Sequence, residues 1–160
     1  MRGIDDAEVR GRRLESAVTM QILVGVDGSD ASMRAVQWCA DHAPALGADV
    51  VAVHAIEMPV VVSPMSGSFQ LPEFRPADRE ALTEVATEQW CAPLAKAGVA
   101  FRVLLKDGDP SYVIIQAAQT ENADLVVTGR RGRGGFAELL LGSTSHALSH
   151  HLQRPLLIVP

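Results

Sequence analysis

Five short apolar runs alternate with amphipathic stretches of helix length along this chain. The alternation predicts an α/β fold: a single doubly wound domain built on a five-stranded parallel sheet with helices on both faces. Three observations carry that prediction. The apolar runs are continuous, as in strands buried on both faces. Helix-opening and helix-closing residues stand between them. Only 4% of the 160 residues are aromatic, so the core must rest on Val, Leu, Ile and Ala, as parallel sheets do. In a Rossmann-like strand order, 3-2-1-4-5, ligands bind beyond the carboxyl ends of the strands, where the order reverses.

Residues 1–19 are polar and arginine-bearing and read as a flexible extension, with the folded domain spanning 20–160. Gln21 to Val26 is the first strand. Asp27-Gly28-Ser29-Asp30 ends it, and Ser29 or Asp30 can cap a helix whose buried stripe is Ala35, Val36, Cys39, Ala40 and Ala43. Gly47 closes that helix, and 49–56 is the second strand. Four prolines between Pro59 and Pro76 predict a loop, a candidate lid over a ligand. A long helix over 78–97 turns Leu82, Val85, Ala86, Trp90 and Leu94 inward, and Pro93 should bend or end it. The third strand is 99–105. Asp109-Pro110 is a cap followed by proline at the first helical position, opening a helix that packs Val113, Ile114, Ala117 and Ala118. The fourth strand is 124–128, the last helix 143–153 stops before Pro155, and Leu156-Leu157-Ile158-Val159 is the fifth strand.

A formal net charge of −5 argues against general binding to nucleic acid or to an anionic membrane. No apolar stretch reaches spanning length, since His54, Glu57 and Pro59 interrupt the longest. Asp5, Asp6 and Glu8 stand where a signal peptide would carry its apolar segment, so the expected location is the cytoplasm. Cys39 and Cys91 each sit in a Gln-Trp-Cys-Ala tetrapeptide without metal-type spacing and read as reduced thiols, the two tryptophans as packing against the sheet.

The chemistry concentrates after the fourth strand. Gly129-Arg130-Arg131-Gly132 is followed, after nine intervening residues, by Gly142-Ser143-Thr144-Ser145. Glycines allow positive φ and close approach of backbone to an anion, and a helix start offers unpaired N–H groups at the positive end of its dipole. Together they make a phosphate cradle that needs no lysine. Competing readings are weaker. Gly132-Arg133-Gly134-Gly135-Phe136-Ala137 fits a dinucleotide fingerprint, but it follows the wrong strand and lacks the downstream acid. No Walker lysine is present. His146 and His150 share a helix face, but Ala147 stands where a zinc protease needs Glu. His54, inside an apolar strand, reads as a satisfied interior residue. The short Arg-Gly stretch at 130–135 is too brief, in too acidic a chain, for RNA binding. Asp27 can cap the next helix, meet a ligand, or do both.

With Val26-Asp27-Gly28-Ser29 ending the first strand and the glycine spacing complete, the chain resembles the ATP-binding branch of the universal stress protein family from about Met20 to Val159. The resemblance implies that Gly25, Val26 and Asp27 lie against base and ribose and that the Ala55 backbone meets adenine. It implies that Thr128, Gly129 and Gly132 line the ribose and phosphate entrance. The sequence departs from the family in Arg130, Arg131 and Arg133, which make this loop unusually basic and could add phosphate contacts. Gly142, Ser143, Thr144 and Ser145 would grip the phosphates. ATP is the implied ligand, with Mg²⁺ as its accompanying cation, and the implied assembly is a homodimer through strand 156–159. The role expected is a regulatory, stress-response nucleotide binder. The rivals are a slow ATPase orienting water with Asp27 or Glu138, and a partner-binding module with an unused pocket.

Overall fold

The computed structural model describes residues 19–57, 61–62, 69–70, 75–132 and 141–160. The extension up to residue 18, most of the candidate lid, and Arg133 and Glu138 lie outside those residues. In chain order the elements are β1 (Met20–Gly25), α1 (Asp30–Leu46), β2 (Ala48–Ile56), β3 (Val61–Val62), β4 (Phe69–Gln70) and α2 (Pro76–Val85). A π-helical turn (Ala86–Trp90), α3 (Ala92–Lys96), β5 (Phe101–Asp107), α4 (Pro110–Thr120), β6 (Leu125–Gly129), α5 (Ser143–His151) and β7 (Leu156–Val159) complete them.

The main sheet runs β5-β2-β1-β6-β7 with every pairing parallel. In order along the chain these are its third, second, first, fourth and fifth strands, the order expected of the sequence. β1 is central, with Val24 level with Ala52 of β2 and Val127 of β6. From β1 the chain moves outward to β2 and β5, then returns to the other side for β6 and β7. The reversal therefore lies between β1 and β6.

Each strand feeds two cores because its side chains alternate between faces. Ile22, Val24, Val50, Ala52 and Val127 pack with Ala35, Val36 and Cys39 of α1 and with Trp90, Cys91 and Leu94. On the opposite face Leu23, Val51, Val53 and Val126 pack with Val113, Ile114, Ala117 and Ala118 of α4 and Leu148 of α5. Ser29 is the cap of α1, accepting from the Ser32 amide, and Gly47 ends that helix with φ 59°. Asp109 caps α4 through the Tyr112 amide.

The helix expected over 78–97 is not continuous. Proline at 93 has no N–H and its ring crowds the carbonyl four residues back, so a regular helix cannot run through it. The chain widens first, the Cys91 amide bonding the Ala86 carbonyl five residues back at 2.9 Å, and α3 restarts with Pro93 in its first turn. α2 starts at Pro76, two residues earlier than the periodicity predicts, and buries none of its residues fully. The loop expected between 59 and 76 contains a short antiparallel ladder, Val61–Val62 against Phe69–Gln70. β5 spans Phe101–Asp107 rather than 99–105 because Val99 is still tied back to Leu94, its amide to that carbonyl at 3.1 Å. α5 ends at His151, two residues short of the expected 153. Both cysteines are free and buried against the same core.

Candidate functional site

The five parallel strands point their carboxyl ends one way, and a cavity of about 1000 Å³ opens there. Gly25, Val26, Asp27, Ala55, Gly129, Arg130, Gly132, Gly142, Ser143, Thr144 and Ser145 all line it. Residues more than a hundred positions apart are brought together by the strand order alone. Thr128 is the exception among the expected ligand contacts. It is 6% exposed, turned into the sheet beside Gly25, and its hydroxyl meets the Gly129 carbonyl at 3.4 Å.

The glycines act through close approach rather than through unusual φ. Positive φ occurs at Gly28, Gly47, Gly98 and Gly108, and not at Gly129, Gly132 or Gly142. A Cβ on Gly129 would stand 2.5 Å from the Ala31 carbonyl carbon, 2.6 Å from its oxygen and 2.8 Å from the Ser32 nitrogen. The end of β6 thus lies directly on the first turn of α1. A Cβ on Gly132 would meet Asp27 Oδ2 at 2.8 Å, and one on Gly142 the Arg131 Cα at 3.2 Å.

Asp27 is held from below. Its Oδ1 accepts from the Ser29 amide at 2.9 Å and the Ser29 hydroxyl at 2.6 Å, while its own amide donates to Ser32 Oγ at 3.3 Å. It therefore braces the cap rather than being the cap. On the far wall the Arg130 amide donates to the Val159 carbonyl at 2.7 Å, and the Arg130 carbonyl accepts from the Gly142 amide at 2.9 Å and from Ser145 Oγ at 2.8 Å. Ser145 is buried, and its hydroxyl also reaches the Gly142 carbonyl at 3.1 Å. That side chain fastens α5 to the loop, leaving amides rather than its hydroxyl to face the cavity. No described side chain caps α5. Its first-turn N–H groups open on the same space as Arg130 and Arg131, whose Nε atoms are both buried without a hydrogen-bond partner among the described residues.

The opposite wall is acidic. Glu57, after β2, and Asp109, after β5, join Asp27 along the cavity. The Ser111 hydroxyl, and after it the Tyr112 amide, hold the Asp109 carboxyl below the usual carboxylate range. The crevice is thus polar across its width, with carboxylates at the ends of β1, β2 and β5 and guanidinium and amide donors at the ends of β6 and α5. Asp109, Ser111, Ile114 and His54 belong to this lining beyond the residues expected from sequence, and Arg131 joins Arg130 as an arginine of the basic loop that lines it. Asp109 was legible as a cap only, although it follows a strand end just as Asp27 does. His54 is half-buried with Nδ1 2.7 Å from the Val26 carbonyl and its ring edge-on to Trp90 at 5.1 Å between centroids. Since a carbonyl only accepts, Nδ1 carries the proton, and the imidazole ties β2 to the first-strand turn.

A family model described as the universal stress protein family matches residues 19–160. The chain belongs to that family. A universal stress protein from Thermus aquaticus is 37% identical over 139 residues, covering 86% of this chain and 96% of that one. Longer relatives exist, and the chain spans 44% of the length of a Mycobacterium tuberculosis universal stress protein. Among solved structures, a universal stress protein from Lactobacillus plantarum superposes with a TM-score of 0.71 at 22% identity, covering 90% of this chain and 99% of that one. Another universal stress protein, solved in complex with cAMP, gives a TM-score of 0.64 at 25% identity, with 88% of this chain and 96% of that one covered.

Proposed function

We propose that this universal stress protein is a cytoplasmic regulatory protein that binds ATP in the crevice at the carboxyl end of its sheet. The observation that carries the reading is the pair of buried Arg130 and Arg131 Nε atoms, without a partner among the described residues, beside the start of α5, which no described side chain caps. Buried donors without acceptors are costly, and a polyphosphate supplies acceptors to guanidinium and helix amides together. The polarity of the crevice matches the same molecule. Ribose hydroxyls and the adenine amino group are donors suited to the carboxylate wall, and the anionic tail suits the other. The relative solved with cAMP carries an adenine nucleotide on this fold, which supports the ligand class. Mg²⁺ accompanying the phosphates would find a hard oxygen donor in Asp27, whose Oδ2 faces Gly132 of the phosphate loop.

The assembly proposed is a homodimer through β7. That strand ends the sheet order and is wholly apolar, and an apolar edge is satisfied by a second copy.

Calorimetry on nucleotide-free protein tests the ligand. ATP should bind, and Arg131→Ala should weaken ATP by at least tenfold while changing adenosine little. No heat with ATP at millimolar concentration sinks the reading. ATP turnover lost in Asp27→Ala would favour a slow ATPase over a binding protein.

A further inference from the structure

α5 carries imidazoles at 146, 150 and 151, all exposed. His146 and His150 are one helical turn apart, and their ring centroids approach to 4.7 Å with an interplanar angle of 67°. His151 lies farther round the axis, its ring 6.3 Å from that of His150. Among the described residues neither ring of the close pair has a hydrogen-bond partner, so its nitrogens are uncommitted. Exposed polar side chains are free to spread into water, yet these two converge.

We propose that His146 and His150 form an open two-imidazole chelate for a borderline divalent cation, Zn²⁺, Ni²⁺ or Cu²⁺, with water in the remaining positions. Two histidines at i and i+4 on one helix face are a known zinc-ligating arrangement. A metal bound about 2.0 Å from one nitrogen of each ring would set the ring centres roughly 4.5–5.2 Å apart at right or tetrahedral angles. The observed 4.7 Å already lies in that range, so side-chain rotation alone would bring the nitrogens to one point. Hard cations such as Mg²⁺ and Ca²⁺ prefer oxygen and are not expected here. No group of three or more His, Cys, Asp and Glu residues is arranged for a metal among the described residues, so the cation is held by two ligands and stays exchangeable. The site lies outside the crevice lining and stands independently of the nucleotide reading.

Titration calorimetry of tag-free protein with ZnCl₂ and NiCl₂ in a non-coordinating buffer tests it. One ion per chain should bind with a micromolar Kd. His146→Ala and His150→Ala, both on exposed helical positions that tolerate Ala, should each weaken binding at least tenfold. His42→Ala, an exposed histidine on α1 stacked against Trp38, should leave it unchanged. The spectrum of bound Cu²⁺ should report two nitrogen ligands, reduced to one in either variant. Binding only at millimolar metal, or binding that survives both substitutions, overturns the assignment.

Discussion

Replacing Gly129 by Ala separates the packing role of the glycine motif from its ligand role. The added methyl would lie 2.5, 2.6 and 2.8 Å from three backbone atoms of Ala31 and Ser32, where ordinary contact begins near 3.4 Å. Backbone in the first turn of α1 cannot rotate away as a side-chain tip can. Overpacking of this kind costs about 1–3 kcal/mol, and an immovable partner places Gly129→Ala at about 3 kcal/mol or above. For a domain of this size that is a fall in Tm of roughly 10 °C. Gly132→Ala is the internal comparison. Its methyl meets only the Asp27 carboxylate, at Oδ2, and moving that group disturbs the Ser29 hydrogen bonds at Oδ1, so stability should fall by about 1–2 kcal/mol, less than for Gly129→Ala. The displaced carboxylate should nevertheless weaken nucleotide binding. Denaturant unfolding of both variants without nucleotide measures the difference. A Gly129→Ala protein within about 0.5 kcal/mol of the parent would refute the argument.

Three further outcomes follow from the same geometry. Burial, with the neighbouring Cys91 adding to it, pushes the Cys39 thiol up to about 12, and burial pushes Cys91 up to about 11, from 9.0. Both folded values exceed the unfolded one, so this stability is intact below pH 9 and is lost as pH rises toward 11 and 12, by about 1 kcal/mol per thiol per pH unit. Unfolding measured from pH 8 to 10.5 should show that slope, and an equal slope in the Cys39→Ala/Cys91→Ala protein would contradict it. Asp109→Ala removes the cap of α4 and should cost about 1 kcal/mol in denaturant unfolding, with no loss the contrary result. Ile158→Lys puts a charge on the β7 edge and should give a monomeric mass by light scattering. A parent protein that is itself monomeric at micromolar concentration would remove the dimer.

The amphipathic pattern of 78–97 was legible as helix but not as three pieces. Periodicity reports which residues face inward, and Ala86, Trp90 and Leu94 do, whereas the widened turn depends on how Pro93 is accommodated. The two-residue ladder of β3 and β4 is too short to leave a pattern of its own. Asp27 and Ala55 were readable as site residues through the family resemblance, at the carboxyl ends of the first two strands. Asp109 also follows a strand end, but no part of the resemblance pointed to it and its role as a cap accounted for it.

Sequence by itself determined the strands, the two-faced core and the glycine spacing after the fourth strand, since all of these are local patterns of polarity and backbone freedom. Only the tertiary structure decided what the glycines are for. Gly129 is small because another helix passes over it, and Thr128 is withdrawn from the crevice because strand alternation turns it inward. It also decided that Ser145 holds backbone together and that two arginine nitrogens have no acceptor among the described residues. Such facts depend on which distant segments meet, and a linear pattern does not carry them.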